Sequence, residues 1–496
     1  MRGRLFILAL TLPLLTLGQP LAEGAEGDEG QPLEIGSRLE LFVDDYLIES
    51  MEGLRLQLQK PQSGGKVLSF DKPWEGTTSL YQTVFKDGDT YRMYYRGSSH
   101  EGYTFPSLLE PGEVPIPVHE EVACYVESKD GIHWTRPSLG LIEFQGSKDN
   151  NIVWIGNQNG GHNFAPFKDG NPAAPATQRY KAVGSGRLDD KPVLLGFVSP
   201  DGIHWSKLQE KPIITDGAFD SLNVAFWDSV RQIYVSIYRQ GLDGVRTIKF
   251  ASSKDFINWT PGRFADYGDT PREQLYTNAT RPYFRAPHIY LAFPKRFVQW
   301  RTYHENAPGT GVSEGVFMTS RDGVHWDRRF MEAFVRPGRH PKNWVHRTNM
   351  ISAGVVPTAD DEVSIYVARH YTSPSAHLER MFLRTDGFAS LHADYAGGEL
   401  LTRPLQFQGD NLVLNFATSA AGSIQLEIQD AEGRPLPGFA LEDSPLIWGN
   451  EIEHTVSWKR SHSKATSDTP LKRIAGKPVR LRFVMKDADL YSLRFK

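Results

Sequence analysis

Apolar and polar residues alternate in short runs along most of the chain, and glycine, proline, aspartate or asparagine breaks each run. Strand-like runs lie at 122–127, 193–198, 247–251, 315–319 and 380–383. A period of two over four to six residues predicts half-buried strands and no helix. One motif follows each run. Ser128-Lys-Asp-Gly-Ile-His-Trp134 recurs as Ser199-Pro-Asp-Gly-Ile-His-Trp205, Ser253-Lys-Asp-Phe-Ile-Asn-Trp259 and Ser320-Arg-Asp-Gly-Val-His-Trp326. Arg384-Thr-Asp-Gly-Phe-Ala-Ser390 is a degenerate fifth copy. Aspartate caps such a turn and glycine supplies a positive φ. The tryptophans at 134, 205, 259 and 326 are expected to be buried beneath it.

Two further strands precede each copy, at 82–85 and 91–96, 164–167 and 180–184, 223–227 and 232–238, 280–284 and 289–293, and 350–355 and 362–369. Four strands per unit, repeated five times, predict an all-β fold with a five-bladed β-propeller over 35–402. The pattern changes after that. Alternating runs at 405–416, 423–430, 453–458, 479–485 and 491–495 predict a small C-terminal β-sandwich over 403–496. The segment 37–50 is expected either to add a strand to the sandwich or to close the propeller.

The N-terminus changes the picture of compartment. Arg2 and Arg4 precede an apolar stretch, Leu5 to Leu17, and small residues follow at Ala22, Gly24 and Ala25. Residues 1–25 read as a signal peptide, too short to span a membrane comfortably. The mature protein is expected in a periplasm or outside the cell, with no membrane association after cleavage. Its single cysteine, Cys124, permits no intrachain disulfide and no cysteine-based zinc site. With 55 Lys+Arg against 59 Asp+Glu, no basic excess points to nucleic acid. No HExxH, Gly-rich phosphate loop or Gly-x-Ser-x-Gly occurs, so no metal and no cofactor is expected.

A propeller gathers the mouths of its innermost strands around one channel. The segments just before those strands are therefore where chemistry is sought. They carry Glu75, Asp220 and Glu273; Asp44 and Asp45 lie on the N-terminal segment, and Glu314 starts a later strand. Glycoside hydrolysis uses one carboxyl group as acid and a second as base or nucleophile. Asp220 and Glu273 rank first as the catalytic pair, expected to face the channel together, followed by Glu314 and Asp45. An asparagine recurs at the strand mouths, Asn163, Asn223, Asn278 and Asn349. It would either contact a sugar hydroxyl or cap the strand backbone. Arg281, Arg285, Arg347, Arg369, His370 and Trp344 complete the candidate substrate-binding set. Aromatic faces stack on sugar rings, and arginine forks bind acidic groups.

The turn ending in Trp259 resembles the blade turns of five-bladed propeller glycosidases: the arabinanase and β-xylosidase family, the invertase and levanase family, and the mannoside phosphorylases. Glu40-Leu-Phe-Val-Asp-Asp-Tyr-Leu-Ile48 and Arg285-Ala-Pro-His-Ile-Tyr-Leu-Ala-Phe-Pro294 resemble exported bacterial proteins identified as relatives of the invertase family's N-terminal domain. The resemblance implies a secreted glycoside hydrolase acting on a poly- or oligosaccharide. It transfers no catalytic residue. The Trp-x-Asn-Asp-Pro, Arg-Asp-Pro and Glu-Cys motifs of invertase-type enzymes are absent, and Cys124 follows Ala123. The turns also resemble sialidase Asp-boxes, one residue short. Two other readings remain open from sequence: a non-catalytic carbohydrate-binding propeller, and a structural or interaction propeller.

Overall fold

The computed structural model describes residues 31–109, 113–458 and 470–496. The expected signal peptide lies outside the described residues. Five antiparallel sheets, each four strands deep, form the propeller, with an additional short strand in blade one (Ile152–Ile155) and in blade five (Val356–Pro357). From the axis outward, blade one runs Leu80–Asp87, Thr90–Gly97, Val122–Ser128 and Trp134–Thr135. Blade two runs Ala165–Lys168, Tyr180–Leu188, Lys191–Ser199 and Ser206–Lys207. Blade three runs Val224–Asp228, Ile233–Leu242, Val245–Ser253 and Arg263–Phe264. Blade four runs Arg281–Tyr283, Ala286–Ala292, Met318–Ser320 and Trp326–Asp327, and its middle strands continue as the pair Lys295–Val298 and Val312–Gly315. In blade five, Met350–Ile351, Glu362–Arg369 and His377–Arg384 are followed outward by Gln62–Ser69. The outer strand of the last blade thus comes from the N-terminal side, and a bridge from Thr83 to Ala353 joins the inner strands of blades one and five. Among the described residues no helix is long and apolar enough to cross a membrane.

The repeated turns tie blades to one another. In the first copy Asp130 Oδ1 accepts from the backbone N–H groups of Ile132 and His133, each at 2.8 Å, and Gly131 N donates to Ser128 Oγ at 2.9 Å. The other three full copies repeat these bonds. Caged in this way, the residue after aspartate turns its carbonyl outward. Gly131 O accepts from Tyr366 Oη of blade five at 2.5 Å, and Gly202 O accepts from Tyr94 Oη of blade one at 2.8 Å. Gly202 has φ +80, and a Cβ there would stand 2.8 Å from that hydroxyl, so only glycine fits. The tryptophans are less enclosed than the repeat suggests. Trp326 is buried, whereas Trp134, Trp205 and Trp259 are half-buried because they cover a turn at the rim.

The third copy departs from the others. Phe256 takes the glycine place at φ +66. Its ring is fully buried, 5.8 Å from Phe167, 5.2 Å from Tyr234 and 5.5 Å from Trp259. The packing outweighs the strain. Phe256→Gly relieves about 1 kcal/mol of backbone strain but opens a cavity that costs roughly 3–5 kcal/mol. A net loss of about 2–4 kcal/mol is expected in urea unfolding; an unchanged or higher midpoint would show that the ring carries no such role.

The strands of 33–58 and 389–402, counted with the propeller on sequence, hydrogen-bond in the C-terminal sheet. Glu40–Leu41 pairs with the final strand Val479–Phe495, Ile48–Glu52 pairs with Gly398–Thr402, and Leu54–Leu58 pairs with Ala389–Ala393. Leu412–Asp430 and Val479–Phe495 run the length of this unit, with an irregular step between Thr418 and Ser423. Residues on both sides of that step, Leu414 and Phe416 and then Ile424 and Leu426, bury into one apolar cluster. The sheet therefore folds over on itself.

This unit docks on the propeller face that carries the turns. The degenerate fifth turn is the joint. Asp386 is buried, and its carboxylate accepts from Tyr283 Oη at 2.8 Å, Arg285 Nε at 2.9 Å, Ser492 Oγ at 2.9 Å and Asn415 Nδ2 at 3.2 Å. Arg285 is thereby spent on the joint and does not reach the channel mouth. Asp45 is likewise on this face, paired with Arg329 Nη2 at 3.0 Å, so it is no neighbour of Asp220. Beside it, Arg321 reaches Glu40 and Asp44.

Candidate active site

The opposite face holds the mouths of the inner strands. Several non-glycine residues there sit at positive φ: Tyr81 (62), Ala279 (47), Arg347 (61), Asn349 (59), His370 (56) and Thr372 (69). Each such conformation costs of order 1–3 kcal/mol and marks a place held by its surroundings.

The four recurrent asparagines do the holding. Asn163 Nδ2 donates to Phe219 O at 2.7 Å and also to Ser221 O. Asn223 Nδ2 donates to the same two carbonyls at 2.8 and 3.0 Å. The two amides thus grip the backbone on either side of Asp220 and present its side chain at the tip. Asn278 bonds to Leu222 O and Ile237 O, both at 3.3 Å. Asn349 donates to Ser313 O and Asn343 O, both at 2.8 Å, and accepts from Arg369 Nη1 at 2.5 Å. All four are buried, with side-chain donors and acceptors satisfied within the protein. Of the two roles open on sequence, the structure gives them backbone capping and leaves no free group for a sugar hydroxyl.

Asp220 opens into a cleft of about 260 Å³ lined also by Ala218, Arg239, Gln240, Gly241, Arg246, Tyr276 and Arg347. Its side chain is 62% exposed. Behind it stands a relay. His162 Nε2 bonds Asp220 Oδ1 at 3.0 Å, and His162 Nδ1 bonds Glu121 Oε2 at 2.6 Å. Arg96 Nη1 lies 3.3 Å from Glu121 Oε1, and Arg96 Nη2 donates to Thr78 O at 2.7 Å. With both ring nitrogens facing carboxylates, His162 favours the imidazolium. Burial opposes the charge, but the bonds to Asp220 and Glu121 outweigh it, and the His162 pKa is raised. The His162 hydrogen bond is in turn the main cause that holds the Asp220 carboxyl far below its ordinary range. Burial pushes Glu121 up, yet Arg96 and His162 bring it down to about 2. Both carboxylates are ionised at neutral pH.

The sign of this linkage is testable. Asp220 has its folded pKa below the unfolded one, so it stabilises above roughly pH 4. His162 has its folded pKa above the unfolded one, so it stabilises below roughly pH 6.5. The stability lost in His162→Ala through this pair is therefore greatest between about pH 4 and 6.5 and shrinks as pH rises through the folded His162 value. The pair's share is under about 1 kcal/mol, because Asp220 is exposed. Urea midpoints at pH 5.5 and 9 read it; an equal loss at both would remove the charge relay.

The other wall is cationic. The Tyr276 ring centroid lies 4.1 Å from Lys295 Nζ, 5.2 Å from Arg239 Cζ and 5.4 Å from Arg246 Cζ. Arg239 Nη2 approaches Asp220 Oδ2 only to 3.9 Å. Burial, with Arg347 next, pushes the Lys295 ammonium well below the usual lysine range. Burial and the same neighbours bring His346 down to about 3, so it stays neutral opposite the Tyr103 hydroxyl.

Glu273 and Glu314 do not share this cleft. They meet across Arg296, at 3.1 Å from its Nη1 and 2.6 Å from its Nη2, and Arg328 Nη2 holds Glu273 at 2.7 Å. They line a neighbouring groove of about 600 Å³ together with Phe297, Trp300 and Trp344. Trp344 stacks on Tyr303 at 5.0 Å and 23°. Arg246 separates the two depressions, with Nη1 bonded to Gln274 Oε1 at 3.0 Å. The expected pairing of Asp220 with Glu273 fails because Arg296 and Arg328 draw Glu273 outward.

The remaining candidates are structural. Arg281 donates to Ala225 O at 3.1 Å and Pro166 O at 3.4 Å, so it lies across the inner strands of blades two and three. Arg369 is buried on Glu379 at 2.6 Å. His370 bonds Ser375 Oγ at 3.0 Å on the rim of blade five. Glu75 is buried on Arg136 at 2.9 Å. Among the described residues no group of histidine, cysteine, aspartate and glutamate is arranged to hold a metal ion. Arg347 and Asp220 are the sequence candidates that line the cleft; His162, Glu121, Arg96, Arg239 and Arg246 went unselected. His162 adjoins Asn163 in the segment already singled out, and that adjacency was the signal available.

No family model and no curated protein matches the chain. Solved structures do. A protein described as a glycoside hydrolase has 13% identity over 65% of this chain and 92% of its own, at TM-score 0.44. A β-1,2-mannobiose phosphorylase from Listeria innocua has 10% identity over 65% of this chain and 95% of its own, at TM-score 0.45. An N-acetylgalactosamine deacetylase from F. plautii has 12% identity over 67% and 96%, at TM-score 0.43.

Proposed function

We propose that the protein is an exported enzyme that cleaves a glycosidic bond in the cleft on the strand-mouth face, with Asp220 as its ionised carboxylate. One observation carries the reading. Asp220 is the only acidic residue among those lining the cleft, and two asparagine amides and His162 fix it there in the charged state. A carboxylate so fixed suits a nucleophile or an electrostatic partner of an oxocarbenium-like centre. It does not suit a general acid, so the proton for the leaving oxygen comes from a group that is not a carboxylic acid. Tyr276 is the group of the cleft lining that can give up a proton to it, since the basic side chains there are arginines, which stay protonated. The adjoining aromatic groove of Trp300 and Trp344 extends the site toward further sugar units of a longer substrate.

The absence of a second carboxylic acid from the cleft lining favours a second reading, a saccharide-binding propeller without turnover. Purified mature protein, screened against oligo- and polysaccharides for reducing-end release, decides between them. Cleavage by the wild-type chain that Asp220→Asn abolishes supports the enzyme. Saccharide binding without cleavage on any substrate supports the binder. Full activity of Asp220→Asn would remove Asp220 from the mechanism. N-terminal sequencing of exported material is expected to begin between about residues 20 and 27.

A further inference from the structure

Elsewhere in this protein most arginines of the interior and the joints meet acids, Arg281 with its backbone carbonyls apart. Arg296 holds Glu273 and Glu314, Arg321 holds Glu40 and Asp44, Arg285 holds Asp386 and Arg369 holds Glu379. The cleft breaks that habit. Lys295 is 1% exposed and its Nζ has no hydrogen-bond partner. Among the described residues the Arg347 guanidinium has no hydrogen bond or ion pair, and Arg246 has only the neutral Gln274 amide. Arg239 is 3.9 Å from Asp220, but Asp220 is already engaged by His162. Glu121 is occupied by Arg96 and the same histidine. Three arginines thus line one cleft, with Lys295 buried behind its Tyr276 wall, and Asp220, shared with His162, is the one carboxylate beside them.

Like charges held together around one tyrosine ring repel each other, and burial with Arg347 nearby disfavours the charged form of Lys295. A neutral sugar cannot offset this arrangement. An oxyanion can, through charge-assisted hydrogen bonds from the arginine forks. We propose that the cleft takes a saccharide bearing an oxyanion substituent, a uronate carboxylate or a sulfate ester, seated among Arg239, Arg246 and Arg347. This rests on the saccharide reading of the cleft and names its substrate class. Asp220 then lies at the edge of the anion seat, which places the bond it acts on beside the charged sugar.

The test measures binding to the mature wild-type chain by calorimetry at low and high salt. The probes are oligogalacturonides, which are uronates without sulfate; carrageenan oligosaccharides, which are sulfated without uronate; and neutral mannan and arabinan oligosaccharides. One acidic class is expected to bind about 10–100-fold more tightly than the neutral probes, with affinity falling as salt rises. Which class wins identifies the oxyanion. Arg347→Gln is expected to lose that preference by about 10–100-fold. It should also keep or raise the melting temperature of the free protein, because it removes an unbalanced charge. Arg246→Gln is the second variant, with the same loss expected. Neutral probes that bind as well as acidic ones at every salt concentration overturn the proposal, as does no binding of any acidic probe. Cleavage of a neutral oligosaccharide that requires inorganic phosphate also overturns it, since the cations then serve the attacking phosphate. Arg347-dependent binding of an acidic saccharide without turnover leaves this inference standing and removes the enzymatic reading.

Discussion

Asp220→Asn is expected to lower turnover of the true substrate by at least about 10²–10³-fold, the loss typical of removing electrostatic stabilisation, and to leave the fold intact. The substitution keeps the size of the side chain. Its amide oxygen still accepts from His162 Nε2, now 3.0 Å from the carboxylate. The grip on Phe219 O and Ser221 O comes from Asn163 and Asn223 and is untouched. What disappears is the negative charge. His162 loses one of the two carboxylates that raise its pKa, so the variant's histidine titrates at lower pH. The cationic wall loses its one nearby counter-charge, 3.9 Å from Arg239. An acidic saccharide should therefore bind the variant as tightly as the wild type or more tightly. A fall in kcat with an unchanged or lower KM is the expected pattern. A raised KM with kcat preserved would mean that Asp220 serves binding and that the chemistry lies elsewhere.

The propeller was legible because its signal is redundant. A turn repeated at Asp130, Asp201, Asp255 and Asp322 needs the same bonds each time, and the sequence shows the residues that make them. The fifth copy misled. Asp386 kept the aspartate but lost the serine two residues earlier, where Arg384 stands, and its carboxylate was free to become the joint with the C-terminal sheet. Ring closure was not readable either. The strand Gln62–Ser69 pairs with one more than 300 residues away, and period-two patterning says nothing about its partner.

The site was harder for a physical reason. Its charged groups come from six separate stretches of chain, at 96, 121, 162, 220, 239–246 and 347, and their roles depend on which neighbours neutralise them. Asp220 and Glu273 look equivalent in sequence, each just ahead of an inner strand. In space one faces a single histidine and an open cleft, and the other is clamped by Arg296 and Arg328. The asparagines show the converse. Their recurrence at one register in four blades is what backbone geometry demands of a scaffold, and a binding site made by asymmetric loops does not require such recurrence.

Arg321→Ala is expected to cost about 3–5 kcal/mol, because it breaks a buried charge network from one side. Arg321 occupies the variable second position of the fourth turn, and from there it reaches across to the C-terminal unit. Its Nη1 lies 2.9 Å from Glu40 Oε2, its Nε 2.7 Å from Asp44 Oδ2, and its guanidinium carbon 3.9 Å from the centroid of the Tyr46 ring. Glu40 is fully buried and has two other partners, Arg38 and His288, the latter at 3.2 Å. Burial alone would raise the Glu40 pKa; Arg321 first, then His288, bring it down to about 2. Because the folded pKa lies below the unfolded one, Glu40 stabilises fully above roughly pH 4.3 and loses that contribution as pH falls toward its folded value. Without Arg321 the folded pKa rises, so the gap between wild type and variant should be widest near neutrality and narrow by pH 3. Urea unfolding at pH 7 and pH 3 measures both gaps. Equal gaps would assign the loss to stacking on Tyr46 and not to the charge. A double-mutant cycle with Glu40→Gln separates the two contributions, and a coupling energy near zero would dissolve the network.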